Sequence, residues 1–489
     1  MSYTGFDVER LRGFAADLRR TGASAGDLRR DVAAVLDEAE EALRGRPATT
    51  SPALRRTQGF LPLGLPSSLA WSLPDVAGSI ERRSDHLEAC RVLFEDGHVV
   101  SPQLVFEDAE PPDASKVQDA VDALAAFPDL DTGINGNRDD LRRIADLLTD
   151  LTAAELDLLL DEASETDLHA FGEAVADTSD SGWSPFDSNG LPVGERVALA
   201  GDLLALAGST HLDDLADAFP WMTPGFDTTD VFLDGANPQT GEDASGITYG
   251  IPEGPLFADG VSSTDVYQGR LGDCWFIASL AATTQMDPDF VTRNIRENAN
   301  GTISVRLWDH DGTARWVTMT RDLPLADDGS PLGAHGDGEL WPAYYEKAFA
   351  LLYEEDKGGA PDGKDGDPLY DRSEQGTYGA LEWDWTEQAP PYVSGNESRG
   401  LDVDFEDVKD AFDSGSPVIV ASSDDKDDVP EHLQPGYFGR HVYYVTEITD
   451  DHVLLANPWG ADYEPLRLTP AEFEAHFDSP QAIDLGDTP

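Results

Sequence analysis

The chain is nearly without cysteine: it has two in 489 residues, Cys90 and Cys274. Two thiols cannot build a disulfide framework, so buried apolar side chains have to hold the fold. Cationic side chains are also scarce, 33 Lys and Arg against 95 Asp and Glu, for a net charge of −62. A surface of that sign repels phosphate and excludes nucleic acid as a partner. It favours solubility, cation binding or life in high salt. No apolar run approaches the roughly 18–20 residues that span a bilayer. The first residues, Met1-Ser2-Tyr3-Thr4-Gly5-Phe6-Asp7, have no cationic start and no apolar h-region, so a cleaved secretory signal is not expected. The expected location is the cytoplasm, or outside the cell by a route that needs no such signal.

The chain is, by contrast, 40% hydrophobic and 9% aromatic, a globular composition. Its length suits two or three domains. Charge is uneven: residues 1–100 carry 15 acidic and 13 basic side chains, leaving 80 against 20 for the rest. The near-neutral start reads as a separate helical module over 1–106, with apolar spacings of three and four across 6–46 and again across 79–94. Cys90 sits in the second of these patterns and reads as a small buried apolar residue. A second helical domain is expected over 107–222. There Thr152-Ala153-Ala154-Glu155 forms a capping box before a Leu-rich run. Residues 223–250, rich in Gly, Asp, Thr and Pro, read as a linker to a final domain over 251–489.

In that final domain, strand-like runs at Thr302–Trp308, Trp316–Met319, Pro417–Ala421, His441–Ile448 and His452–Ala456 alternate with helical runs at 274–284, 342–353, 405–413 and 470–477. Helix followed by antiparallel sheet is an α+β arrangement. Cys274 follows a Gly-Asp turn and opens an apolar, Ala-rich helix. The positive end of a helix favours thiolate, the reactive form of cysteine. Six residues earlier Gln268 offers an amide that can fold back toward the sulfur. His441 heads a strand, and Asn457 ends the next one. A hairpin turned at Thr449-Asp450-Asp451 brings those two ends together. An Asn oxygen can then accept the His Nδ1 proton, which leaves Nε2 for the sulfur. Trp459 would shield that bond from water. Taken singly, each of these residues reads as structural; the order Cys, His, Asn within one segment reads as catalytic.

Gln268-Gly269-Arg270-Leu271-Gly272-Asp273-Cys274-Trp275 closely resembles the nucleophile motif of the calpain family of papain-like cysteine proteases. His441-Val442-Tyr443-Tyr444-Val445, Asn457-Pro458-Trp459-Gly460 and the helix from Glu339 to Phe349 resemble three further blocks of that family, in the same order. The resemblance implies a papain-like core of two lobes, with a helical lobe holding Cys274, a sheet lobe holding His441 and Asn457, and the substrate cleft between them. It implies a cysteine endopeptidase acting on protein or peptide through a thioester. Gln268 and the Cys274 N–H would then form the oxyanion hole. It also implies calcium on Ala258, Gly260, Asp265 and Glu339, whose hard oxygens suit that ion. The family's second calcium site has no counterpart around Ala461-Asp462-Tyr463-Glu464. Arg440 stands where the family has Gly, and Glu354–Asp371 is an acidic insert. The first helical module loosely resembles those on bacterial proteins exported by specialised secretion systems, which implies a prokaryotic source. Self-cleavage in 107–115 or 223–250 would release a protease restrained by its N-terminal region. Two alternatives stay open: a transglutaminase-like acyl transferase, and a helical interaction protein with a retired protease domain. Oligomeric state is not legible.

Overall fold

Apolar positions three and four apart, each set opened by a polar cap, dictate a run of helices. In the computed structural model of the chain these are α1 (Ala114–Ala126), α2 (Arg138–Thr149), α3 (Ala153–Glu162), α4 (Glu165–Ala176), α5 (Val193–Leu206) and α6 (Leu212–Ala218). The structure describes residues 112–127, 138–177, 190–207, 212–225 and 248–486 except 259, 299, 310–311, 327, 354–375, 383 and 424–427, together with 12, 13, 16, 18 and 20. The helix expected over 79–94, Cys90, the acidic insert, and most of the 6–46 pair and of both linkers lie outside the described residues.

The capping box forms as expected. Thr152 accepts from the Glu155 N–H, and Glu155 returns a bond to the Thr152 N–H. Such a cap contributes about 1 kcal/mol. The second Glu155 oxygen takes the Asp113 N–H, joining the start of α1 to α3. Leu124, Ile144, Leu156, Leu159, Phe171 and Leu203 fill the core of this block. Phe127, Phe171 and Phe219 meet edge to face at 5.9 and 6.1 Å.

From residue 248 onward helices and strands mix: β1 (Thr248–Gly250), α7 (Cys274–Met286), α8 (Asp289–Asn294), β2 (Ile295–Glu297), β3 (Ile303–Trp308), β4 (Ala314–Met319) and β5 (Leu323–Leu325). After them come α9 (Trp341–Leu352), α10 (Ala389–Ser394), β6 (Arg399–Gly400), α11 (Phe405–Asp413) and β7 (Val418–Ser422). The chain ends with β8 (Val442–Ile448), β9 (Val453–Ala456), β10 (Leu466–Leu468), α12 (Pro470–His476) and β11 (Phe477–Ala482). The fold is α+β, as expected. One lobe is built on α7, α9 and the antiparallel trio β2-β3-β4. The other is a six-stranded antiparallel sheet in the order β10-β9-β8-β7-β11-β6. Among the described residues no helix is long and apolar enough to cross a membrane.

α7 is buried on every side from Cys274 to Thr284. A helix that is apolar all round has to be enclosed. Phe276 stacks on Phe349 of α9 at 4.0 Å, and Trp275 lies edge-on to Phe349 and Tyr353. The opposite side of α7 meets Val442 and Tyr444 of β8. The alternate residues of that strand, Tyr443 and Val445, face Phe405, Val408 and Phe473. The six-stranded sheet is thus covered on both faces, which is why β8 opens with four consecutive buried apolar or aromatic residues, Val442-Tyr443-Tyr444-Val445.

Residues 113–486 form one unit, and residues 1–112 with 487–489 form another. Within the first, α5 lies on β4. Asn300, beside β3, donates to the Leu204 carbonyl at the end of that helix at 2.7 Å and to the carbonyl of Ala207, its C-cap, at 3.2 Å.

Candidate active site

The site is built from one turn, one strand start and one strand end. The turn runs from Tyr267 to Asp273. Gly269 sits at φ +72°, and a Cβ there would stand 2.0 Å from the Gly333 oxygen, so only glycine fits. The turn delivers Cys274 as the first residue of α7. The sulfur is met by the N–H groups of Val442, Trp275 and Cys274 itself. Val442 directly follows His441, so packing of α7 on β8 brings the thiol to the histidine strand.

His441 is held from β7 by a serine the sequence did not single out. Ser422 Oγ accepts from the His441 N–H at 2.9 Å, and the Ser422 N–H donates to the His441 carbonyl at 2.8 Å. Ser422 Oγ also donates to the Phe438 carbonyl, pinning the turn before the strand. That turn includes Arg440 at φ +55°, a left-handed conformation in which glycine would be unstrained. The signal for Ser422 lies in sheet pairing, since β7 and β8 meet in register only after folding.

His441 Nε2 lies 2.8 Å from Asn457 Oδ1. The same oxygen accepts from the Trp459 N–H at 2.9 Å. A backbone N–H can only donate, so the atom facing it is the amide oxygen and the Nε2 proton points at Asn457. This corrects the expected tautomer: Nε2 is bonded to the asparagine, and Nδ1 is the nitrogen with a lone pair left for the thiol. The Trp459 ring lies 4.7 Å from the imidazole, and Phe438 packs on Trp459 at 4.3 Å.

Burial dominates the electrostatics. It pushes the Cys274 thiol up to about 12, against the N–H contacts that lower it, and the neighbouring Asp273 adds to the rise. Desolvation thus works against the thiolate expected at the helix start, while the N–H contacts favour it. Burial also lowers His441 from 6.5 to about 4, partly offset by Asn457. A stability consequence follows. The unfolded chain binds the histidine proton near pH 6.5 and the folded chain only near 4, so stability present above that window is lost as pH falls through it. The expected loss is about 3 kcal/mol between pH 6.5 and 4. Melting curves of wild type and His441→Gln over that range check it: the variant lacks this part of the decline.

Gln268 lies in the turn as expected, buried at 3% exposure. One amide N–H donates to the Leu271 carbonyl, and the amide also lies by the Asp273 carboxyl. The Gln268 N–H donates to the Pro458 carbonyl at 2.9 Å, joining the two lobes beside Asn457. At the far end of α7, Gln285 donates to the Val445 and Thr446 carbonyls at the bulge in β8.

Three of the four expected calcium positions lie on the loop from Ala258 to Asp265, and Glu339 reaches that loop from the segment before α9. The Ala258 N–H donates to Glu339 Oε1 at 2.7 Å, and the Ser262 N–H donates to Asp265 Oδ2 at 2.6 Å. A Cβ on Gly336 would lie 3.0 Å from the Glu339 Cβ and 3.1 Å from the Asp265 carbonyl oxygen, so both residues close around the same point. Gly260 is at φ +124° with open space beside its Cα. Two carboxylates and two main-chain carbonyls are donors of the hard-oxygen kind that suits calcium, and here each carboxylate accepts a backbone N–H. Among the described residues no cluster of three His, Cys, Asp or Glu is placed to hold a metal.

Residues 248–464 match the family described as calpain family cysteine protease. Calpain-5 of Caenorhabditis elegans is 30% identical over 210 residues, 40% of this chain and 31% of that protein. Calpain-B of Drosophila melanogaster is 27% identical over 232 residues, 43% of this chain and 23% of its own length. The calpain-2 catalytic subunit of Bos taurus is 28% identical over 236 residues, 43% of this chain and 30% of that one. The chain thus spans less than a third of the length of these curated relatives. Motif order, the α+β architecture with its cysteine helix against a histidine strand, and these similarities converge: residues 248–464 are a calpain-like cysteine protease domain.

Proposed function

We propose that this domain hydrolyses peptide bonds in protein substrates with Cys274 as nucleophile, His441 as base and Asn457 as its orienting partner. One observation carries the reading: the 2.8 Å bond between His441 Nε2 and Asn457 Oδ1 leaves Nδ1 basic, next to the strand residue whose N–H meets the sulfur. The Cys274 proton passes to Nδ1 as sulfur attacks the substrate carbonyl carbon. A C–S bond forms, and the carbonyl π pair moves to oxygen, where the Cys274 N–H and the Gln268 amide receive it. Collapse breaks the C–N bond, and the leaving amine takes the proton from His441. Water then gives its proton to His441 and adds to the thioester, and thiol is regenerated as the acid leaves. Asn457 keeps the ring oriented throughout, and Trp459 covers the bond from solvent.

Calcium, held by Ala258, Gly260, Asp265 and Glu339, would supply fixed charge that stiffens the loop ahead of the nucleophile turn. The N-terminal region would restrain or target the domain inside the cell or along an unconventional export route; what supports this is the charge contrast of the first hundred residues. One experiment tests these points together. The full chain and residues 113–489 are each given unfolded casein, with calcium or with chelator. The expected result is cleavage, faster with calcium, and faster again without residues 1–112. A calcium effect unchanged in Asp265→Asn with Glu339→Gln rejects that ligand set. Conjugates with an added primary amine, seen by mass in place of hydrolysis, would make the enzyme an acyl transferase. A folded chain that neither cleaves nor reacts with a thiol probe at Cys274 would be the retired form.

A further inference from the structure

The turn that delivers Cys274 ends on Asp273, which is completely buried. Although it precedes α7, its side chain caps no N–H of the helix. Among the described residues no donor makes a well-aligned hydrogen bond to either carboxyl oxygen. What they face is a second carboxyl, Glu346 of α9, with the Gln268 amide and the Asp273 N–H beside them. Glu346 is itself buried. Two ionised carboxylates in contact without water repel strongly; with one proton between them the contact becomes a charge-assisted hydrogen bond.

Glu346 reaches the nucleophile turn by a second route. Its Oε1 accepts from the Ala334 N–H at 2.8 Å. Its Oε2 rests on Gly333, where a Cβ would stand only 2.0 Å away. That loop is laced to the turn: Arg270 N–H to the Leu332 carbonyl at 3.1 Å, and Tyr267 and His335 exchanging N–H bonds at 2.9 Å. One carboxyl on α9 therefore braces both the loop under Gly269 and the residue before Cys274.

We propose that Asp273 and Glu346 share a single proton, and that this carboxyl pair is a positioning device that keeps the Cys274 helix start and the Gln268 amide in place. The proposal rests on the reading of Cys274 as nucleophile. Burial raises both carboxyls, Glu346 to about 8, so the proton is held at neutral pH. The other titratable groups around the pair are the Cys274 thiol beside Asp273, the Tyr378 hydroxyl on the Glu346 side, Glu382, which takes the Gly272 N–H, and His335 on the braced loop. Lys347, next on α9, turns its ammonium to Thr320 and Asp322.

The test uses the full chain. Glu346→Gln keeps an oxygen for the Ala334 N–H and offers a permanent N–H to Asp273, so it needs no shared proton. Glu346→Ala removes both links. Glu346→Ala should lower kcat by about ten- to a hundredfold with KM little changed, the usual effect of a displaced catalytic turn. Glu346→Gln should restore kcat to within a few-fold. It should also move the alkaline fall of kcat, expected near pH 8 in the wild type, upward by at least one pH unit. Wild-type kcat in Glu346→Ala, or the same alkaline limb in Glu346→Gln, overturns the proposal; if the alanine variant does not fold, the glutamine comparison alone decides. Should the wild type cleave nothing, the functional reading fails separately, and the pair is then read from melting. A carboxyl raised on folding makes stability fall as pH rises from about 4.5 to 8. Glu346→Gln should flatten that slope, and an unaltered slope rejects the shared proton.

Discussion

Cys274→Ala should leave no measurable cleavage of unfolded casein, a loss of at least about a thousandfold in kcat. The variant removes the only atom able to form the thioester. The remaining cysteine, Cys90, lies in the near-neutral first hundred residues, outside the matched domain. The substitution deletes one sulfur from the start of a helix already rich in alanine, so the fold is retained and the melting temperature moves little. Loss of cleavage with an unchanged melt therefore reports on chemistry and not on folding. Undiminished activity in this variant would falsify the assignment of the nucleophile, and with it the roles of His441 and Asn457.

Gly460→Ala should be among the most damaging single methyls that can be added to the domain. Gly460 follows Asn457-Pro458-Trp459 at φ +109°. Its new Cβ would lie 2.1 Å from Cδ1 of Tyr267. The tyrosine cannot simply yield: its ring stacks on His335 at 5.5 Å, and its backbone is paired with that residue. The next residue, Gln268, is tied to Pro458. Backbone strain of about 1 kcal/mol and overpacking of about 1–3 kcal/mol add in the same place. We expect a stability loss of about 2–4 kcal/mol and a fall in kcat/KM of about a hundredfold, because the clash separates Asn457 from the cysteine turn. Gly415→Ala is the control. Gly415 is also at positive φ, +92°, but nothing lies within 4 Å of its added Cβ, so only the strain should appear. Equal melting shifts and full activity in both variants would show that the lobes do not meet as described.

Secondary structure was largely legible because its signals are local. The run from Cys274 is apolar for a whole helix. The Thr152 box closes within four residues, as read, and the Thr469 box is equally local. The strands carrying His441 and leading to Asn457 begin within a residue of the expected points. β11 was not legible. Phe477-Asp478-Ser479-Pro480-Gln481-Ala482 has the composition of a turn, yet it pairs with β7 through a bulge at Ser479, φ +47°. Pro480 is tolerated there because its carbonyl, which needs no N–H, accepts from Leu401.

The chemical identity of the site was written in residue types and their order: one sulfur, one imidazole and one carboxamide placed on a helix start, a strand start and a strand end. Their charge states were not. Whether the thiol rests ionised depends on how much water is excluded by α9 and β8, and no local pattern contains that quantity. The nitrogen His441 turns to Asn457 depends on the Trp459 N–H that orients the amide. The bracing of the nucleophile turn depends on Glu346, seventy-two residues along the chain from Cys274. Periodicity and capping act over a few residues and survive in any context, whereas desolvation and hydrogen-bond partners are properties of neighbours that only the folded chain brings together.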